Sequence, residues 1–179
     1  IIASKDEDKD AAHSEVRRVN VCGLVKTLAV DKSNSGIMVN RKGFLQCISI
    51  ILRHPNCSFA EKNRMIAAVQ NLARFRGLRA KLCQSSELLE GVSLALNDKS
   101  REIRSRAVSI VAFLVTQPKA NRRVLVDRND MIEGLTRTTM SDLESTEQPL
   151  SNNESNAAKR TLKMNPSAKE HETISIGLT

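Results

Sequence analysis

Apolar residues recur at three- and four-residue intervals over most of residues 1–140. This is the spacing of one face of an α-helix. The pattern is clearest in three long segments, Val16–Val30, Glu61–Phe75 and Arg101–Val115. No segment shows the strict alternation of apolar and polar residues that is typical of a half-buried strand. The pattern therefore predicts an all-α fold that contains three long helices.

Shorter helices are predicted between and after the long ones. Short basic helices are predicted at Gly77–Gln84 and Asn121–Arg128, and apolar third helices at Phe44–Arg53, Glu87–Asn97 and Met131–Met140. Clusters of Asp, Asn, Ser, Gly and Pro mark the turns that separate these helices. The turns are predicted at residues 31–36, 53–58, 97–100 and 116–121.

Ser58 and Glu61 predict where the second long helix begins. They stand three residues apart before an apolar run, which is the spacing of a capping box. In such a box the Ser side chain and the Glu side chain each accept a hydrogen bond from a backbone N–H group at the start of the helix. We therefore expect the helix to begin directly after Ser58.

The chain also repeats itself at an interval of 42–44 residues. A shift of 44 aligns "FLQCISIIL" (Phe44–Leu52) with "LLEGVSLAL" (Leu88–Leu96), and a shift of 43 aligns "LLEG" (88–91) with "MIEG" (131–134). This period is typical of helical repeat proteins. One unit of this size cannot bury its apolar surface alone, so neighbouring units stack to form a continuous core.

The segment Asn63–Leu96, "NRMIAAVQNLARFRGLRAKLCQSSELLEGVSLAL", resembles the armadillo repeat family. It has a long helix that ends in Asn-Leu-Ala, then a short helix with an Arg, then an apolar helix. The resemblance covers residues 14–140 and implies a right-handed α–α superhelix of about three to four repeats. HEAT repeats are the nearest alternative. In the armadillo family the long helices line a groove that binds peptides or proteins.

The two ends of the chain differ from this repeated part. Residues 1–13 are predicted to be an acidic, polar and flexible segment. Residues 141–179 are predicted to be a degenerate or partly disordered terminal repeat that contains an inserted loop at 141–154, a stretch rich in Ser, Glu and Asn. The repeated part between them carries the candidate binding surface.

The charge distribution favours an acidic partner. The net charge is +8, and residues 16–140 contain 22 Lys and Arg against nine Asp and Glu. Basic surface favours acidic peptides, nucleic acid or anionic membrane surfaces, although it also serves solubility alone. If equivalent helices of successive repeats stack side by side, the basic clusters should form one Arg-rich edge. Its residues are Arg74, Arg76, Arg79, Lys81, Arg101, Arg104, Arg106, Arg122 and Arg123.

The resemblance also identifies candidate binding residues. In the importin-alpha branch, the long helices carry a Trp and, four residues later, an Asn, and this pair holds an extended basic peptide. The Trp positions here are Gly23, Ala67 and Ser109, and the Asn positions are Thr27, Asn71 and Phe113. With one Asn, no Trp and many neighbouring Arg, binding of a basic signal is disfavoured. The predicted partner-binding residues are Asn71, Arg64, Arg74, Arg104, Arg106 and Phe113.

Other residue types exclude several kinds of site. The cysteines at 22, 47, 57 and 83 lack metal-binding spacing, and Cys22, Cys47 and Cys83 lie among apolar residues. They predict buried, inert thiols and an intracellular location, in the cytoplasm, the nucleus or both. No phosphate-binding loop occurs, and His13, His54 and His171 lie in polar or turn segments that predict exposure to solvent. The sequence predicts no enzyme activity, cofactor, metal or small-molecule substrate.

The predicted function is that of an interaction scaffold that binds an acidic or extended segment of a partner protein. One alternative is nucleic-acid binding through phosphate contacts on the Arg-rich edge. Another is the substrate-recognition part of a larger enzyme, such as a ubiquitin ligase. Because no apolar run approaches the roughly 18 residues that span a bilayer, no membrane insertion is predicted.

Overall fold

Helices account for all the regular structure in the residues that the computed structural model describes, 3–116 and 119–146. These residues contain no strand, which confirms the all-α prediction. The described residues up to Met140 form one compact unit. The helices are α1 (Ala3–Leu28), α2 (Lys32–Asn40), α3 (Phe44–Arg53), α4 (Phe59–Arg74), α5 (Arg79–Gln84), α6 (Ser86–Leu96), α7 (Arg101–Val115), α8 (Lys119–Val126) and α9 (Asn129–Thr146).

The helices follow one another in groups of three. We call α1, α4 and α7 the first helices, α2, α5 and α8 the second helices, and α3, α6 and α9 the third helices. First helices pack side by side, α1 on α4 and α4 on α7, while α3 packs on α6 and α5 packs on α8. Thr138 of α9 donates a hydrogen bond of 2.8 Å to the Leu96 carbonyl at the end of α6. Equivalent helices of consecutive groups are therefore neighbours, the arrangement that a period of 42–44 residues predicts.

The hydrophobic core runs between the groups. In α4, Ile66, Val69 and Leu72 are fully buried. In α7, Val111 and Leu114 are buried, whereas Val108 is half-buried against the core. The predicted capping box is present, since Ser58 and Glu61 exchange both hydrogen bonds at the start of α4.

The first group contains a second helix where the sequence predicts a turn. Residues 31–36 lie at the start of α2, which covers Lys32–Asn40. Asp31 is the N-cap residue, and its side chain accepts a hydrogen bond of 2.9 Å from the Asn34 backbone. Val39 is buried in the core. The polar composition and Gly36 resemble a turn, but the N-cap and the burial of Val39 favour the helix.

Three helix boundaries also differ from the predicted ones. Helix α1 begins at Ala3, so its backbone is helical within the segment 1–13 that was predicted to be flexible. Helix α8 begins at Lys119, inside the predicted turn 116–121. Helix α9 continues to Thr146 and so enters the predicted loop 141–154. The rest of the predicted terminal repeat, from residue 147, lies outside the described residues.

One buried polar position recurs in the second helices. The Ser35 hydroxyl donates to the Ala29 carbonyl at 3.0 Å, and the Arg79 Nε donates to the Ala73 carbonyl at 2.7 Å. Each donor follows its acceptor by six residues, and each acceptor lies at the end of a first helix, where carbonyls lack partners within the helix. Asn121 is buried at the corresponding position of α8. In the first two groups, this position ties the end of a first helix to the second helix that follows it.

Candidate interaction surfaces

Arg64 and Asn71, two of the predicted binding residues, join α4 to α1. The Arg64 Nη1 donates to the Val19 carbonyl at 2.6 Å, and the Asn71 amide nitrogen donates to the Lys26 carbonyl at 3.2 Å. Both side chains are half-buried. Each therefore spans the boundary between the first and second groups and holds two first helices in register.

Arg106 joins α7 to α4 in a similar way. Its Nε donates to Asn63 at 2.9 Å, its Nη1 to Gln70 at 3.1 Å and its Nη2 to Glu102 at 2.8 Å. The hydrogen bonds from Arg106 and Asn63 lower the pKa of Glu102, and the positive charge of Lys26 on α1 lowers it further. Arg106 and Asn63 therefore join α7 to α4 through a network of polar side chains.

The other three predicted binding residues do not converge with them. Arg74 is exposed at the end of α4. The Arg104 Nη1 donates to the Asp98 and Lys99 carbonyls at 3.1 Å and 3.0 Å, at the start of α7. The ring of Phe113 is half-buried and lies 5.4 Å from the guanidinium carbon of Arg79, a cation–π contact. The six residues are thus distributed along the first helices rather than gathered into one site.

Two residues of the predicted Arg-rich edge, Arg79 and Arg106, make hydrogen bonds within the chain. Arg79 is buried, and its guanidinium donates to the Ala73 and Arg74 carbonyls and to the Thr116 hydroxyl. It therefore supports the protein's own fold and does not belong to the exposed edge. Arg106 also uses its three guanidinium nitrogens within the chain.

A continuous basic surface instead follows the second helices. We call it the second-helix edge, and it comprises the exposed residues Lys32, Arg41, Lys42, Arg76, Lys81, Lys119, Arg122 and Arg123. Helices α2, α5 and α8 contain no Asp or Glu. The Lys81 Nζ donates to Asn40 at 2.6 Å, which links α5 to α2, and α5 packs on α8. The edge is therefore continuous across the three groups.

The third helices have a different electrostatic character. Helix α6 carries Glu87 and Glu90, and the first part of α9 carries Asp130 and Glu133. Arg53, the single basic residue of α3, lies 2.9 Å from Glu90. The third helices are therefore more acidic than the second helices, and a basic surface such as the second-helix edge attracts anionic segments by long-range steering.

The sequence analysis missed part of this edge because it predicted a turn over α2. It therefore left out Lys32, Arg41 and Lys42. These residues lie in a stretch without a periodic apolar pattern. The only sign of the edge in the sequence is the absence of acidic residues from Lys32 to Lys42. The edge can be recognised once α2 is placed beside α5.

The cysteine prediction holds for two of three residues. Cys22 and Cys83 are buried, and burial raises the pKa of the Cys83 thiol to about 11. Cys47 is exposed on α3, so the prediction that it is buried was wrong. His13 and His54 are exposed as predicted, and His171 lies outside the described residues.

Glu61 is a buried carboxylate at the boundary between α1 and α4. It is 3 % exposed, and its two oxygens accept hydrogen bonds from Arg18 Nε at 2.6 Å and from the Ser58 backbone at 2.8 Å. Burial opposes ionisation, but the bonds from Ser58 and Arg18 outweigh it and lower the pKa of Glu61. The ionised carboxylate therefore stabilises the folded state.

We expect this contribution to disappear in acid. It is complete above the unfolded-state pKa of about 4.3 and falls as the pH drops through the lower folded-state pKa. The free-energy difference between the natural chain and Glu61→Gln should therefore be largest near neutral pH and shrink below about pH 4.3. Urea denaturation across this range measures it, with the exposed Glu133→Gln as control. An unchanged difference at all pH values would contradict the assignment.

Comparison with protein-family models, curated proteins and solved structures gave no match for this chain. Among the described residues, no helix combines the length and the apolar character needed to cross a membrane. The assignment of a function therefore depends on the surfaces described above.

Proposed function

We propose that this chain is a protein-interaction module of the armadillo type, in which the second-helix edge binds an acidic, extended segment of a partner protein. The observation that carries the proposal is the set of eight exposed Lys and Arg on or beside three second helices, which themselves contain no acidic residue. Arg and carboxylate groups form paired, charge-assisted hydrogen bonds. Such a surface also suits the substrate-recognition part of a larger enzyme.

The spacing of the groups suggests how the partner is recognised. Neighbouring packed helices lie roughly 8–10 Å apart, and an extended chain in the polyproline II conformation rises about 3.1 Å per residue and has every third side chain on the same side. A partner that crosses α2, α5 and α8 would therefore place about every third side chain over a new helix. Bonds such as those of Arg64 and Arg106 hold the first helices in register and so fix this spacing. We expect the preferred ligand to carry Asp or Glu at about every third position.

The amino-acid composition favours protein over nucleic acid as the partner. The chain contains no Trp, no Tyr and four Phe. Binding of single strands usually combines a basic groove with aromatic side chains on which the bases stack. Helices α2, α5 and α8 contain no aromatic residue. Nucleic-acid binding through phosphates is retained as an outcome of the test.

The test is a fluorescence-polarisation titration of the full chain with a peptide of about 15 residues that has Glu at every third position. Lys119→Gln, Arg122→Gln and Arg123→Gln, made together, should weaken binding by about tenfold, since each exposed ion pair contributes roughly 0.2–1 kcal/mol. These side chains are exposed on α8, so the fold should be retained. A second peptide with the same composition and clustered Glu should bind more weakly.

A matched control removes the same charge elsewhere. Arg53→Gln, Lys99→Gln and Arg137→Gln lie on third helices or in the α6–α7 loop and should leave peptide affinity within about twofold. Equal losses in both triple variants would contradict the second-helix edge as the site. The other possible result is that an oligothymidylate of similar length binds more tightly than the peptide, with an affinity that falls steeply as the salt concentration rises. That result would assign the edge to phosphate binding.

A further inference from the structure

Helix α1 has an exposed apolar face that we call the α1 stripe, Val21, Leu24 and Leu28. These side chains are 58 %, 59 % and 40 % exposed. They follow Arg17 at intervals of four, seven and eleven residues, so they lie on one side of the helix. The buried residues Cys22 and Ala29 lie on another side, which faces the core of the first group. The stripe is thus additional to the apolar surface that α1 already uses.

The positions equivalent to the α1 stripe are buried in the other first helices. In α4, Met65, Ala68 and Leu72 follow Glu61 at intervals of four, seven and eleven residues and are 1 %, 0 % and 0 % exposed. Glu61 accepts a hydrogen bond from α1, so this side of α4 faces the preceding group. In α7, the corresponding buried residues are Ala107, Ile110 and Leu114. The α1 stripe is therefore the one member of this series that no preceding helix covers among the described residues.

The third helices also differ between the first group and the groups that follow it. One position is covered by the preceding group in α6 and α9, whereas the equivalent position in α3 is exposed. A Cβ atom on Gly91 of α6 would lie 3.2 Å from the Leu52 side chain of α3, and one on Gly134 of α9 would lie 2.9 Å from Leu96 of α6. Cys47 precedes Gly91 by 44 residues and occupies the equivalent position on α3. It is exposed. Cys47 and the α1 stripe thus mark the same uncovered end of the first group.

The covering groups specify what would fit there. Where α1 covers α4, its Gly23 leaves room for Arg64, and the equivalent residue of α4, Ala67, is also small. Arg18 of α1 also pairs with Glu61 of α4 at 2.6 Å. The α1 residue equivalent to Glu61 is Arg17. The exposed end therefore presents a positive charge at the position where α4 presents a negative one. The α1 residue equivalent to Arg64 is Asn20, which needs no such room, so the requirement that remains is a carboxylate in the register of Arg18.

A second copy of this chain that docks head to tail does not meet that requirement. If α7 of another copy covered α1, it would bring Arg104, the equivalent of Arg18, towards Arg17. Two positive charges at this position would repel each other. We propose that the α1 stripe and Cys47 form the docking face for a further three-helix unit of the same construction, whose long helix carries Asp or Glu opposite Arg17. This inference does not depend on the function proposed for the second-helix edge.

The test uses a tandem duplication in the full chain, in which a second copy of residues 15–58 is inserted directly after Ser58. Residue 15 then follows Ser58 just as Phe59 does in the natural chain, and Arg18→Glu in the outer copy supplies the carboxylate. Leu24→Glu in the inner copy should lower Tm by about 5 °C or more, because the stripe is covered there. The same change in the outer copy, or in the natural chain, should alter Tm by about 1 °C or less.

Thiol labelling gives a second readout. With Cys47→Ser in one copy at a time, iodoacetamide should modify the inner Cys47 at least about tenfold more slowly than the outer one. Equal effects of the two Leu24→Glu changes, or equal labelling rates, would overturn the proposal. So would concentration-dependent association of the natural chain in sedimentation velocity that Leu24→Glu abolishes, because a second copy would then be the occupant.

Discussion

Replacing Leu72 with Ala is expected to lower the free energy of unfolding by about 2–5 kcal/mol. Leu72 is fully buried on the side of α4 that faces the preceding group, so its removal leaves a cavity between first helices. This loss is a large share of the roughly 5–15 kcal/mol that stabilises a typical domain. Urea denaturation followed by far-ultraviolet circular dichroism measures it.

The matched control for this change is Leu28→Ala. Leu28 occupies the equivalent register of α1 but is 40 % exposed, so its truncation should cost less than about 1 kcal/mol. Similar losses at both positions would show that the two first helices are equally covered in solution. That result would contradict the packing described here.

Replacing Arg79 with Ala is expected to cost about 2–4 kcal/mol, since hydrogen bonds to charged groups contribute roughly 1.5–3 kcal/mol and a buried acceptor left unpaired adds a penalty. The buried guanidinium donates to the Ala73 and Arg74 carbonyls and to Thr116, and it also contacts the Phe113 ring. Thermal and urea denaturation of the variant measure the loss of stability.

Two further variants separate geometry from charge at this position. Arg79→Lys keeps the positive charge but replaces a planar group that reaches several acceptors at once, so it should recover less than half of the lost stability. Arg122→Ala removes an exposed Arg from α8 and should change stability by about 0.5 kcal/mol or less. Full recovery with Lys would show that charge alone, rather than the hydrogen bonds, stabilises the end of α4.

Periodicity predicts most of the helices because burial of an amphipathic face imposes the 3.6-residue spacing that the sequence displays. The bounds of α3 and α7 agree with those predicted, Phe44–Arg53 and Arg101–Val115. Helix α2 was missed because a nine-residue helix with Gly36 inside it offers little periodic signal. Only contact with the rest of the group shows that Val39 is buried.

The candidate site was less predictable because its partners are largely backbone atoms. Arg64 and Asn71 lie on the first helices as predicted, but the carbonyls of Val19 and Lys26 that they contact carry no sequence signal. The residue type of Arg79 predicts a surface position, since Arg is seldom buried unless it is paired. Its structural role can be recognised only by comparison with Ser35, a chemically different residue that makes the equivalent hydrogen bond in the first group.

The side-by-side packing of equivalent helices has a consequence for how the protein opens. Each group contacts mainly the groups next to it in the chain, so stability is transmitted between nearest neighbours as in a one-dimensional array. The middle group, α4–α6, has a neighbour on both sides, whereas the first and third groups each have one among the described residues. Local unfolding should therefore start in these outer groups and leave α4 protected. Among the amide hydrogens of the three groups, those in the middle of α4 should exchange with solvent most slowly.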